Sequence, residues 1–481
     1  MGKVFYADLW GLQDGKYRYL WENDISITDW QELEPVAPHF FFVPKEFDLL
    51  SEYERGWSVT DIFPVNVSGF VTHRDHFAID LDEECLRSRI VAFRDEALSD
   101  DEVKERFGLR DTRDWKLSEA RKSLQHDERW EDRFANCLYR PFDIRSTYYN
   151  SAVIEYPRPR VMGHMLKENV ALLTCRQQAE VGFRHVLCSN VPTERCAISL
   201  RTRELTYVFP LYLYKTPEEK PKKGGGSVIA LTLFEPKAGY ETRDPNLSPE
   251  FIAAVEEKLG LEFVREGKGD LEATFGPGDI LHYAYAVFHS PTYRERYAEF
   301  LKIDFPRLPL TSDRELFKAL AERGEELVSL HLMESPELNH LVTNFGVSGS
   351  DRVEKVRYVE KVTEEKKTPA DASPSSVKVS NRRLPLVFEH QTRVKIKPKP
   401  EPKPTGRVYI NKTQYFEGIE PEVWEFQIGG YQVLDKWLKD RKGRKLIFDD
   451  FFHYQKIVVA LKETMRLMGE IDELIPTWPI E

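Results

Sequence analysis

A chain of 481 residues with 41% hydrophobic and 31% charged side chains is long enough for two or three domains with sizeable cores and has the balance of a soluble globular protein. Its net charge of −11 argues, taken alone, against a nucleic-acid partner. No apolar run reaches the ~18 residues of a membrane span, and MGKVFYADLW lacks the basic and apolar regions of a secretory signal, so no membrane partner and a cytoplasmic location are expected.

The five cysteines, Cys85, Cys137, Cys175, Cys188 and Cys196, are scattered, odd in number and without a Cys-x-x-Cys pair. That argues against a disulfide framework or a zinc ribbon. Residues 4–10 alternate toward a strand that Gly11 ends. Residues 21–30 and 47–57 read as short helical turns around Pro35, Pro38 and Pro44, with FFFV at 40–43 as a buried strand between them. Ser99 and Glu102 form a capping box for a helix ended by Gly108, and residues 115–124 continue helically.

From Arg140 the chain turns arginine-rich, aromatic and β-favouring. Residues 144–149, 170–175, 185–188, 196–200 and 207–214 read as strands of a mixed sheet. YPRPR (156–160), CRQQAEVGFRH (175–185) and LRTREL (200–205) lie between them as loops or strand edges. TPEEKPKKGGGS at 216–227 is a flexible insertion, 228–234 is strand-like, and Ser248-Pro249 opens a helix closed by Gly260. In YAYAVFHSPTYRERYAEFLKIDFPRLPL, at 283–310, Ser290 and Pro291 start a helix. Tyr293, Tyr297, Phe300 and Leu301 form its apolar stripe, opposite Arg294, Glu295, Arg296 and Glu299. Periodicity alone fits a helix that merely packs on a core.

Ser312 with Glu315 caps the next helix, whose Leu316, Leu320, Leu327 and His331 share a face. Residues 363–381 and the extended KIKPKPEPKP at 395–404 read as solvated linkers. The C-terminal stretch combines strands around Tyr409 and at 424–428, a Gly429-Gly430 turn, and a long helix with Ile457, Leu461, Met465, Met468 and Ile471 on one side. The expected fold is α+β: a multi-lobed module with a mixed β-sheet domain and a helical subdomain. Its divisions are a trailing strand (1–10), a connecting region (11–132), a basic β-rich domain (133–215), an insertion (216–227), a helical subdomain (228–345), linkers with room for a short ordered piece (346–405) and a C-terminal α/β subdomain (406–481).

No catalytic residue stands out. A phosphate-cradling G-x-x-x-x-G-K-[ST] loop is missing, so the acidic FAIDLDEEC at 77–85 has no partner loop. Glu266-Gly267-Lys268 has the E-x-K form of a nuclease triplet but sits in a polar, glycine-broken stretch that reads as a solvated turn. His73 with His76, and His185 with Cys188, lack a second pair to close a tetrahedral site, so no metal is expected. The positive signal is electrostatic: residues 133–215 hold twelve Lys and Arg against six Asp and Glu. Arg176, Gln177, Gln178 and Arg184 have the chemistry to read guanine and adenine edges in the major groove. Arg158, Arg160, Arg201 and Arg203 suit phosphates, which fix register without reading sequence. Singly, each of these also fits a structural role.

Several strings, taken jointly and in order, resemble the C-terminal target-recognition region of Type ISP restriction-modification enzymes. They are VFYADLWGL, FFFVPKEFDLLSEYERGWSVTDIFPVNVSGFVTHRD, LYRPFDIRSTYYN, VFPLYLY, the 283–310 stretch and VWEFQIGGYQVLDKWLKDRKGRKL. The resemblance implies recognition of double-stranded DNA, with one adenine flipped out toward a methyltransferase. It also implies that the chain begins where the catalytic domain ends. The Asn-Pro-Pro-Tyr element and glycine-containing cofactor loop of adenine methyltransferases are not found. S-adenosylmethionine, ATP and magnesium are therefore expected only in a methyltransferase and translocase half, on another chain or missing. Two alternatives stand beside this reading: an adenine methyltransferase in its own right, and a non-catalytic remnant or scaffold.

Overall fold

The computed structural model describes residues 2–35, 37, 40–44, 48–179, 182–201, 203–215, 242–360 and 405–481. The expected insertion at 216–227, the strand-like 228–234 and the linkers at 363–381 and 395–404 lie outside them. Contacts divide the chain into two units: Met1–Ser335 with Gln427–Tyr431 and Glu463–Glu481, and Pro336–Phe426 with Gln432–Lys462.

The first unit is built on a four-stranded antiparallel sheet in the order Val67–Ser68, Thr206–Pro210, Ala171–Cys175, Val186–Ser189. Every residue of Ala171–Cys175 and Val186–Ser189 is buried, as short, nearly continuous apolar runs require. A three-stranded sheet of Ile79–Asp80, Asp143–Tyr148 and Phe134–Arg140 packs against the helix Glu83–Arg94, which meets Leu117–Gln125, and that helix in turn meets Asp100–Phe107. The sequence divisions at 132/133 and around 216–227 fall inside this unit. Val67–Ser68 pairs with Thr206–Pro210, and Ile79–Asp80 with Asp143–Tyr148, so residues far apart in the chain share sheets.

Local chemistry sets several helix ends. Ser99 and Glu102 form the capping box, and Gly108 at φ 61° closes that helix. Asp82, part of the acidic 77–85 string, accepts from Glu84 N and caps Glu83–Arg94. Ser290 accepts from Tyr293 N at 3.0 Å with Pro291 in the first turn. The stripe of Tyr293, Tyr297, Phe300 and Leu301 is buried, though the helix breaks at Tyr297 into Pro291–Arg296 and Ala298–Leu301. Arg294, expected to point outward, turns in: its Nε donates to the Phe288 carbonyl at 2.7 Å, and burial lowers its pKa to about 10. The following helix, Arg314–His331, is capped by Asp313 rather than Ser312. It packs on the almost wholly buried Pro277–His289, and a Cβ at Gly324 would lie 1.8 Å from the His282 carbonyl oxygen.

Three strand expectations fail. Residues 40–43 form no strand, and Phe40, Phe42 and Val43 are exposed: an apolar run alone cannot supply a hydrogen-bonding neighbour. Residues 196–200 form turns and bends, with Ile198 N bonded to the Thr206 side chain at 3.0 Å instead of a ladder. Trp424 lies in the short helix Pro421–Glu425, which Pro421 opens, leaving only Gln427–Ile428 as strand.

The second unit holds a three-stranded antiparallel sheet of Arg357–Glu360, Gly406–Tyr409 and Tyr415–Ile419. Its core gathers Val408, Ile410, Phe416, Trp437 and Tyr454, with the Phe416 and Tyr454 rings 4.3 Å apart. The long helix Phe448–Leu474 places residues 448–462 here and 463–474 in the first unit.

Candidate nucleic-acid interface

Antiparallel register fixes where the arginine-rich loops emerge. Cys175 is paired with Thr206 and Thr174 with Val186, so the chain leaves the sheet after Cys175, re-enters at Val186 and re-enters again at Thr206, all at one end. Residues 176–179 and 182–185, and residues 196–201 and 203–205, therefore share that end. The edge strand Val67–Ser68 continues toward it through Gly69, whose N donates to the Thr206 carbonyl, to Val71, which bridges Tyr156. Arg158 and Arg160 follow there. Arg158 is at φ 56°, with its guanidinium over the Tyr156 ring, and Arg160 lies in the first turn of the helix Pro159–Met165 rather than in a loop.

The loops are tied by a buried carboxylate. Glu204 is 1% exposed; its Oε1 accepts from Ala179 N at 2.8 Å, and its Oε2 accepts from Ser199 Oγ at 2.6 Å and lies 3.0 Å from His185 Nε2. Burial works to raise its pKa, but the hydrogen bonds from His185, Ser199 and Ala179 prevail and hold it at about 2. The hairpin 427–431 locks on from outside. Gly429 N donates to the Arg184 carbonyl at 2.7 Å, Gly430 N to the Ile198 carbonyl at 3.1 Å, and Tyr431 Oη to the Cys196 carbonyl at 2.7 Å. Gly429 has φ 56°, and a Cβ there would stand 2.2 Å from the Ile198 oxygen, so only glycine fits.

Six of the eight candidates, Arg160, Arg176, Gln177, Arg184, Arg201 and Arg203, are exposed, and Arg176 forms an ion pair of 2.9 Å with Asp304. Such a surface pair contributes only ~0–1 kcal/mol, so Arg176 can exchange Asp304 for another partner. Gln177 is exposed, with its amide 3.4 Å from the Ile303 carbonyl. Arg184 donates to the side chain of the exposed Gln427. Gln178 departs from expectation: it is 6% exposed, and its Nε2 donates to the Leu301 carbonyl at 2.7 Å, so it anchors the loop to Ala298–Leu301 rather than facing a base. Sequence reading missed Glu204 and Gln427, and it passed over Leu200, which is 61% exposed beside Arg201. The other arginines of the basic stretch serve the fold: Arg140 pairs with buried Glu194 at 2.8 Å, and Arg133 with Asp127 at 3.2 Å.

The remaining motifs resolve as structure. Glu266 pairs with Arg243, and Lys268 with Glu325 at 2.6 Å, on either side of Gly267 at φ 68°. His73 Nδ1 lies 3.2 Å from Glu155. Among the described residues no cluster of His, Cys, Asp and Glu could hold a metal ion, and no helix is long and apolar enough to cross a membrane.

Residues 61–470 match the family model described as the Type ISP C-terminal specificity domain. The chain belongs to that family. No curated protein matches this specificity domain. Solved structures share its fold, three of them as follows. A nuclease-deletion mutant of the Type ISP restriction-modification enzyme LlaGI, in complex with a DNA substrate mimic, aligns at TM-score 0.60 and 17% identity, covering 100% of this chain and 39% of that one. The DrdV–DNA complex aligns at 0.60 and 18%, covering 95% and 42%. The ATP-dependent Type ISP enzyme LlaBIII bound to DNA aligns at 0.58 and 16%, covering 94% and 26%. The specificity domain thus spans less than half the length of each.

Proposed function

We propose that this chain recognises a specific sequence in double-stranded DNA and presents one adenine, flipped from the stack, to a methyltransferase domain outside residues 1–481. The observation that carries the reading is the single sheet end at which the loops bearing Arg176, Arg184, Arg201 and Arg203 converge, held by Glu204 and with the Arg158–Arg160 segment at its edge. Exposed guanidinium groups on a braced scaffold are what base and phosphate recognition requires, since a fork can read guanine only if its backbone is held in place. That three similar folds were solved with DNA supports the same reading. The total charge of −11 does not oppose it, because potential depends on where charge sits.

In this reading S-adenosylmethionine, ATP and magnesium are held by the catalytic part, and the chain alone transfers no methyl group. Selection from a randomised duplex library, followed by titration of the enriched site at two salt concentrations, tests the proposal. One enriched sequence, bound more weakly as salt rises, is expected. A library that returns no preferred sequence refutes specific recognition, and methyl incorporation by the purified chain refutes the division of labour.

A further inference from the structure

The basic string WLKDRKGRK at 437–445 plays no part in the loops described above, and in the second unit it is built as a rigid basic corner. Arg441 is 5% exposed, with its guanidinium 3.5 Å from the centre of the Trp437 ring and its Nη1 donating to the Trp437 carbonyl at 3.2 Å. This arginine is an anchor rather than a contact. Behind it the turn is pinned by backbone: Gly443 N donates to the Val353 carbonyl at 2.7 Å, Val353 N to the Arg444 carbonyl at 3.0 Å, and Leu446 N to the Asp351 carbonyl at 2.8 Å. Arg352 bridges Lys445 and donates to the Gly443 carbonyl. Asn411, next to Lys412, donates to the Arg352 carbonyl at 3.2 Å.

The corner thus gathers Arg352, Lys412, Lys442, Arg444 and Lys445, all exposed except the half-buried Arg444. Among the described residues none has an ion-pair partner. Two nearby acids are offset by other cations, Asp440 by Lys436 and Asp450 by Arg441 at 3.6 Å, whereas Asp351 is hydrogen-bonded to the neutral Gln414 amide at 2.7 Å and keeps its charge. Asp351, Glu354 and Asp449 stand against the five cations, a local excess of two positive charges. In a chain carrying an excess of acid, unneutralised cations on a pinned turn make a local anion-binding surface. Compact lysine charges without a matched planar acceptor suit phosphate oxygens rather than base edges.

We propose that this corner is a second DNA-binding surface, gripping backbone phosphates without reading sequence. It rests on the reading of the chain as a DNA-recognition domain. Its role would be affinity: the loops of the first unit discriminate and the lysines hold.

The test compares the full chain with the triple variant Lys412→Ala, Lys442→Ala, Lys445→Ala, and with the corresponding triple Lys→Arg variant, on matched and mismatched duplexes across a salt series. The side chains are exposed, and thermal melting verifies that each variant is folded. The alanine variant is expected to bind both duplexes at least about tenfold more weakly at low salt. Its slope of log K against log salt should be shallower by about 0.9 for each phosphate no longer held, and its match-to-mismatch ratio unchanged. The arginine variant should keep the wild-type slope. An alanine variant with wild-type affinity and slope overturns the second surface while leaving the specificity reading intact. A change in the match-to-mismatch ratio overturns the claim that the corner does not read sequence, and absence of DNA binding by the wild-type chain overturns both.

Discussion

Glu204 Oε2 lies 3.0 Å from His185 Nε2, and the same carboxylate receives Ser199 Oγ and Ala179 N, so one buried side chain joins both arginine-bearing loops. Glu204→Gln keeps the shape but replaces an acceptor-only group with one that presents two donors to the same partners. A loss of roughly 1–3 kcal/mol is expected in urea unfolding, together with a reduced match-to-mismatch ratio in DNA binding. The pH dependence has a definite sign. The folded pKa, about 2, is below the unfolded value, so the contribution is present above about pH 4.3 and is lost as pH falls through the folded pKa. A Glu204→Gln variant with wild-type stability and specificity would show that the loops do not depend on this node.

Gln178 and Arg184 lie six residues apart in one loop and should behave oppositely. Gln178→Leu removes a buried bond to the Leu301 carbonyl and should cost about 1 kcal/mol of stability while leaving base preference alone. Arg184→Ala should leave the melting temperature nearly unchanged and lose roughly 1–3 kcal/mol of discrimination at one base pair. Binding to a panel of single-base-pair substitutions of the selected site separates the two. If Gln178→Leu alters preference at one position and Arg184→Ala at none, the assignment is reversed.

What the sequence revealed and what it hid differ in range. Ser99 with Glu102, Ser248-Pro249 with Gly260, and Ser290-Pro291 all appear as read, because each depends on hydrogen bonds within a few residues. The arginine cluster is legible as composition. Its organiser is not: Glu204 reaches Ala179 across 25 residues, Gln427 reaches Arg184 across 243, and Gly429 is required by Ile198. No local pattern encodes such partners. Gln178 misleads for the same reason, since amide chemistry suits a base edge and a buried carbonyl equally, and only its distance to Leu301 decides.

The Ser290 helix start is braced from far along the chain. Asp472 accepts from Ser290 Oγ, from Thr292 N at 3.0 Å and from Thr292 Oγ1 at 2.8 Å. Asp472→Ala leaves these donors without a carboxylate at a helix N-terminus, where negative charge is favoured. A loss of roughly 1–3 kcal/mol is expected from the urea midpoint, and Asp472→Asn should recover part of it. An unchanged midpoint in both variants would mean that water replaces the carboxylate at no cost.

Acid sensitivity above the window of Glu204 should come from histidines. His331 is 6% exposed between the Tyr285 hydroxyl and Thr464 Oγ1, at 2.9 Å from the latter, and its ring lies 5.4 Å from that of His289, which is 3% exposed. Burial, reinforced by the nearby Arg294 guanidinium, pushes His331 down to about 3 and His289 well below its ordinary value. Burial also lowers His282 on the same helix to about 4. Near pH 5 the unfolded chain therefore protonates these rings while the folded chain does not. Stability must fall as pH drops below the unfolded value of about 6.5, by up to ~1.4 kcal/mol per pH unit for each histidine, and the contribution of His331 levels off only near its folded pKa. His331→Gln cannot titrate and still offers a donor to Thr464. Its loss of stability between about pH 6.5 and pH 4.5, from urea unfolding at each pH, should be shallower than that of the wild type by up to ~1.4 kcal/mol per unit. Parallel profiles would show that His331 takes its proton without unfolding the Tyr285 pocket, and the buried-neutral assignment would then be wrong.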